Sequence, residues 1–147
     1  MRPPDSALQV LFPCKPVTQV RKVKLVGLER RMSLHACTAG GQTWALAHAD
    51  LGDPAQLGAA LAELLASAAV NLDAAAAPGQ PLQVQGATPH PGSRQARLVG
   101  KLPDGTAVTE EVAVFVHGTR VYQATALGPA LTSEAAQTFI TSLRAGT

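Results

Sequence analysis

Cys14 and Cys37 are the only cysteines among the 147 residues, and their spacing restricts what they can do. A redox pair works through the short C-x-x-C loop that lowers a thiol pKa, and a structural zinc needs cysteine or histidine ligands in closely spaced sets. The two cysteines are far further apart than C-x-x-C, and no histidine stands at zinc-ligand spacing beside either. That leaves a disulfide or two free thiols, a choice the compartment makes.

The four histidines offer little more. His35 and His48 fall on neighbouring predicted strands, where they can meet across a sheet, whereas His90 and His117 fall at turns. A metal site needs several ligands converging, and neither H-x-x-x-H nor H-E-x-x-H occurs, so no metal is expected. Single histidines near strand ends are expected to be partly exposed polar groups. Glu110 and Glu111 are adjacent, so on a strand they face opposite ways and cannot form a carboxylate pair. Glu110 shares a face with valines and has Arg97, Lys101 or Arg120 as candidate cross-strand partners. An enzyme would have to bring His35, His48 or Glu110 into one open cleft, as a hydrolase does. Nucleotide loops of the G-x-x-x-x-G-K or G-x-G-x-x-G type are absent, and Gly92-Ser93 lies outside any G-x-S-x-G pattern, so neither a cofactor nor a nucleophile elbow is expected.

The elements that would hold these residues can be read from period and punctuation. Strands are predicted at 7–12, 19–26, 31–37 and 42–49, with Thr38-Ala39-Gly40-Gly41 closing a hairpin. On the third of them Met32, Leu34 and Ala36 are read as inward. On the fourth, Trp44, Leu46 and His48 share one face and the small Thr43, Ala45, Ala47 and Ala49 the other, so cover is expected on both sides. Asp53-Pro54 starts a helix striped with Leu57, Leu61, Leu64, Leu65, Ala68 and Leu72, fading over 73–77 and ending before Pro78. Residues 73–94 are irregular and rich in Ala, Pro and Gly, with one candidate strand at 82–85. Strands resume at 95–102, 106–117 and 120–127, separated by Pro103-Asp104-Gly105 and His117-Gly118-Thr119. A second helix, capped at Thr132, presents Ala136, Phe139, Ile140 and Leu143 and ends at Gly146. Strands in runs, with helices between the runs, argue for an α+β fold. The expected architecture is an antiparallel sheet of about seven to eight strands in ββββαββββα order, flanked by two helices, in one domain over 1–147. Residues 1–6 read as a loose leader.

Composition narrows the function classes. Apolar residues are 46% and charged residues 15%, enough for a core and far from the signature of disorder. Aromatics are only 3%, which weakens any case for stacking on nucleic-acid bases. The longest helical apolar run, 57–72, is interrupted by Glu63 and Ser67 and is too short for a membrane span. The net charge of +2 is unevenly placed: Lys15, Arg21, Lys22, Lys24, Arg30 and Arg31 gather early, and the chain beyond them is net acidic. Lys15, Arg21, Lys22 and Lys24 could give weak contact with an anionic surface, although bases alternating on a strand more often guard a sheet edge. No nucleic-acid partner is expected.

Three segments converge on a resemblance: Leu11-Phe12-Pro13-Cys14-Lys15-Pro16, Arg120-Val121-Tyr122-Gln123-Ala124 and Phe139-Ile140-Thr141-Ser142-Leu143-Arg144. With the strand-rich middle and the long helix, the chain resembles small exported bacterial proteins of the PsbP/DcrB-like fold group, most of all uncharacterised β-proteobacterial ones. The resemblance implies an antiparallel sheet flanked by helices and a periplasmic or secreted location, its export signal removed, since Met1 to Ser6 holds no apolar signal core. It implies no activity, because that fold serves unrelated partners. In an exported protein an even cysteine count favours a bridge, so a Cys14–Cys37 disulfide is the expectation, although the pair is not a feature of the wider fold. The function expected is a monomeric, non-catalytic accessory protein. It would bind a protein or small ligand through its sheet or the 73–94 loop. A hydrolase and a purely structural or surface-antigen protein are the alternatives.

Overall fold

The computed structural model describes residues 8–75 and 79–145. In chain order it holds β1 (Leu8–Gln9), β2 (Val17–Leu25), β3 (Leu28–Ala39), β4 (Gln42–Asp50), α1 (Leu57–Asn71), β5 (Gln80–Pro81), β6 (Arg94–Lys101), β7 (Ala107–His117), β8 (Arg120–Gly128), α2 (Ser133–Thr141) and β9 (Arg144–Ala145). Asp53 does cap a helical start, accepting from Ala55 N at 2.9 Å, but it caps a short 3-10 turn, Pro54–Gln56, that leads into α1. Thr132 caps α2 by accepting from Ala135 N at 3.1 Å.

The fold is α+β. A seven-stranded antiparallel sheet runs β2-β3-β4-β8-β7-β6-β5, and a separate two-stranded sheet pairs β1 with β9. The large sheet is two hairpin meanders, β2-β3-β4 and β6-β7-β8, each followed by a helix and joined where β4 pairs with β8. Alternate residues of β7 and β8 enter two different cores. Val112, Val114, Val116 and Val121 pack with Leu57, Leu61, Leu64 and Ala68 of α1. Ala113, Phe115, Tyr122, Ala124 and Ala126 pack with Ala136, Phe139 and Ile140 of α2 and with Leu8 and Val10. Strand periodicity thus places the helices on opposite faces, and the small β4 residues Ala47 and Ala49 are buried on the α1 side. Fully burying one large side chain such as Phe139 contributes roughly 2 kcal/mol.

Several expectations change. The first strand is not part of the main sheet: Leu8 and Gln9 pair with Ala145 and Arg144, adding a final strand that the expected order lacks. Pro13 and Pro16 break the extended run before it can join β2 (Pro has no N–H to give a ladder). The strand sought at 82–85 lies at Gln80–Pro81, and Gln85 makes only an isolated bridge to Arg144. On β3 it is His35 and Cys37 that are buried, whereas Met32, Leu34 and Ala36 are only half-buried, because α2 and β1 cover the opposite face from the one hydrophobicity favours. Both helices also stop earlier than expected, α1 at Asn71 ahead of the fade over 73–77 and α2 at Thr141 rather than at Gly146, because Arg144–Ala145 turn extended to pair with β1. The leader 1–6, Ala7, residues 76–78 and Gly146 lie outside the described residues.

The end of α1 sets a tight contact. Leu72 O accepts from Lys101 N at 2.7 Å, and a Cβ placed on Gly100 would collide with that carbonyl. Gly100→Ala is therefore expected to cost about 2 kcal/mol, in the range of an overpacked core. Urea unfolding checks this; an unchanged midpoint would show that the helix end moves aside freely.

Candidate functional site

The expected disulfide forms. Cys14 and Cys37 are bonded, with their Cα atoms 5.9 Å apart, and Cys37 is buried against the α2 core. The bond pins a strap, residues 10–16, that runs from β1 to β2. At the other end β1 pairs with β9, and Leu11 N donates to Ser142 Oγ at 3.0 Å. Between the strap and α2 lies a groove of about 470 Å³, lined by Leu11, Phe12, Pro13, Trp44, Thr132, Glu134, Ala135, Thr138 and Phe139. Its rings are in mutual contact: Phe139 lies 5.5 Å from Phe12 and 5.4 Å, edge-on, from Trp44, centroid to centroid. Leu11 is 72% exposed, while Trp44 is 6% exposed. The Trp44 Nε1 is buried without a hydrogen-bond partner.

On the same face, further along β3 and β4, the structure brings two of the histidines together. His35 pairs in register with Leu46, and His48 with Ser33, so the imidazoles are diagonal neighbours on one face. Both are 1% exposed, which replaces the expectation of partly exposed groups. Their rings stack with centroids 5.3 Å apart and Nε2 atoms 3.2 Å apart. At one end His35 Nδ1 meets the hydroxyl of Thr18 at 2.8 Å, and at the other Arg120 Nη1 lies 3.0 Å from His48 Nδ1.

The proton order along this row follows from its one fixed donor. A guanidinium can only donate, so His48 Nδ1 accepts and His48 carries its proton on Nε2. That proton goes to His35 Nε2, His35 carries its own on Nδ1, and Thr18 accepts. Both rings are neutral in this arrangement, and a further proton on either breaks a hydrogen bond. Thr18 is exposed on an edge strand and sits where a nucleophile would, but His35 presents it a donor and cannot take its proton. The row reads as a buried structural relay rather than a catalytic one. Nitrogen-15 spectra of the imidazoles are expected to show His35 as the Nδ1–H tautomer and His48 as the Nε2–H tautomer; the reverse order would reopen a base role for His35. Burial lowers the His35 pKa below its ordinary value of 6.5. A depressed folded value means that this stability is fully present above pH 6.5 and lost as the pH falls below it.

The remaining candidates are scattered. Glu110 lies on the α1 face, aligned with Leu98 of β6 and Leu127 of β8, so it joins neither the histidines nor any of Arg97, Lys101 and Arg120. Arg97 instead aligns with Glu111 on the other face and donates to Ser133 Oγ at 2.9 Å. Desolvation pushes the Glu110 pKa up to about 7, and its Oε2 has no hydrogen-bond partner. His90 Nδ1 accepts from Gly92 N at 2.8 Å and shapes its own loop, and His117 ends β7. Among the described residues no group of three or more His, Cys, Asp or Glu is placed to hold a metal ion. No helix among them is long and apolar enough to cross a membrane. Lys22 pairs with Glu29 at 3.8 Å and Arg21 donates to Gln19 Oε1 at 2.8 Å, and being adjacent on β2 the two bases point to opposite faces.

Sequence reasoning missed Thr18 and Arg120 as the ends of the histidine row, and it missed the groove. One signal for the groove was present. Phe12, Trp44, Phe115, Tyr122 and Phe139, all of the chain's scarce aromatics, lie on the α2 side of the sheet. No family model, no curated protein and no solved structure matches the chain.

Proposed function

We propose that the protein is a non-catalytic binding or accessory protein of an oxidising compartment, periplasmic or secreted, and that it receives its ligand in the groove between the strap and α2. The observation that carries this reading is the groove itself: largely apolar walls and a size within the range of small-ligand pockets. The location is supported by the Cys14–Cys37 bond, because such bonds persist where thiols are not kept reduced. The PsbP/DcrB-like resemblance is compatible with the antiparallel sheet and flanking helices, and it remains part of this proposal. Contact of Lys15, Arg21, Lys22 and Lys24 with an anionic surface is a weaker reading, since on β2 Arg21 points away from Lys22 and Lys24 and Lys22 is paired with Glu29.

The test is a thermal-shift screen of small aryl and acyl compounds on the oxidised protein, repeated on Ala135→Phe, which fills the groove. Compounds that raise the melting temperature of the wild type alone support the reading. A screen in which none does, or in which both proteins respond alike, rejects it.

A further inference from the structure

We propose that β2 is a docking edge for an acidic, extended segment of another protein, which joins the large sheet there as a further strand. This goes beyond the groove reading and does not depend on it. β2 ends the large sheet, and among the described residues β3 is its only strand neighbour. Its side chains from Val17 to Lys22, and Lys24, are exposed on both faces of the sheet, Val17 at 67% and Val20 at 53%. The turn fixes which backbone groups are open. Val26 and Gly27, at φ 51° and 75°, form a two-residue hairpin whose closing pair, Leu25 and Leu28, exchanges both hydrogen bonds. Alternation then turns Val23, Arg21, Gln19 and Val17 towards β3. It leaves the N–H and C=O of Lys24, Lys22, Val20 and Thr18 pointing outward. An edge this long and this open is a template for strand addition, in which main-chain bonds give affinity and side chains choose the partner.

Charge chooses the occupant. β2 carries Arg21, Lys22 and Lys24 and no acidic residue. A second copy paired antiparallel about Arg21, or parallel in register, sets bases directly opposite bases, which destabilises a ladder. A flat anionic surface touches one face of the edge, either Arg21 or the two lysines, because neighbours on a strand point opposite ways. An added strand has side chains on both faces, so acidic residues in it reach all three bases. Lys22 lies 3.8 Å from Glu29, an exposed pair that is worth little and readily exchanged. The lysines that keep copies of this chain apart thus leave the edge open to a strand of opposite charge.

The probe is acetyl-Thr-Glu-Val-Glu-Glu-Val-Glu-Val-Thr-amide, whose glutamates fall on both faces of a strand. It is added to the full, oxidised chain at neutral pH and low salt, where exposed charges are least screened. Saturable binding is expected by calorimetry, with amide NMR shifts concentrated on residues 17–25. Two control peptides are expected to bind at least about tenfold more weakly. One is N-methylated at its third and sixth residues, so that a blocked nitrogen meets the edge in either register; the other has lysine for each glutamate. On the protein, Val20→Pro removes an outward N–H without touching the β3 ladder, and Arg21→Glu/Lys24→Glu reverses the charge. Each is expected to weaken the acidic peptide about tenfold. Ala135→Phe is expected to bind it as the wild type does, which separates this edge from the groove. The proposal is overturned if the acidic peptide does not bind, if either control peptide binds equally, or if affinity is unchanged in either edge variant while it is folded. Binding to phosphatidylglycerol vesicles without binding to the peptide assigns the bases to a membrane, and loss of the peptide in Ala135→Phe assigns it to the groove; both overturn the proposal.

Discussion

Replacing Glu110 with leucine is expected to stabilise the protein, and to do so more strongly as the pH rises. The carboxyl sits between Leu98 and Leu127 under α1, and burial raises its pKa from 4.5 to about 7. A raised folded value means that wild-type stability is intact below pH 4.5 and erodes as the pH climbs through about 7, where a buried carboxylate has to ionise. Converted at 1.36 kcal/mol per unit, the loss amounts to about 3 kcal/mol. Glu110→Leu removes it, so the stability difference between variant and wild type should widen from pH 4.5 to 7 and then level off. His35 titrates in an overlapping window but lies on the opposite face, so its contribution cancels in the difference. Denaturant unfolding of both proteins across this range checks the result; a pH-independent difference would show that Glu110 ionises as an exposed carboxyl does.

Removing the disulfide should have an effect of similar size. Cys14 and Cys37 close a loop with a sequence separation of 23, worth roughly 3 kcal/mol in the chain-entropy account. The double variant Cys14→Ala/Cys37→Ala is expected to lose about that much, and reduced wild type to match it. The local consequence is larger than the global one. Without the bond, Leu11, Phe12 and Pro13 are held only from the β1 side, so one wall of the groove is released. Ligand-induced melting shifts should disappear in the double variant at temperatures where its circular dichroism is still native. Binding that survives would mean that the strap is held by packing on Phe139 alone.

What the chain discloses in advance depends on how local the cause is. The strands β6, β7 and β8 were readable to within a residue or so, because Pro103-Asp104-Gly105 and His117-Gly118-Thr119 force turns regardless of context. The helix starts at Asp53 and Thr132 were readable for the same reason, each being a side chain that caps its own neighbours. The pairing of Leu8 with Ala145 was not, since a two-residue ladder between distant segments leaves no periodic trace. The burial of His35 was hidden because a polar side chain enters a core only with its partners, and Thr18, His48 and Arg120 come from three other strands. The cysteine bond was within reach once a compartment was assumed. The groove was not, because Leu11, Trp44 and Ala135 become neighbours only when the strap, β4 and α2 are assembled.

The join of β4 to β8 carries a consequence for how the chain finds this structure. Every other long ladder in the main sheet links strands that are consecutive in the chain, across turns as short as Val26-Gly27 and Gly118-Thr119. Such pairings close quickly and with little loss of chain entropy. Each meander can therefore organise by itself, and the late, slow event is the meeting of two half-formed units along the β4–β8 seam. Burying Val121, Tyr122 and Ala124 at that seam is what commits the halves to each other.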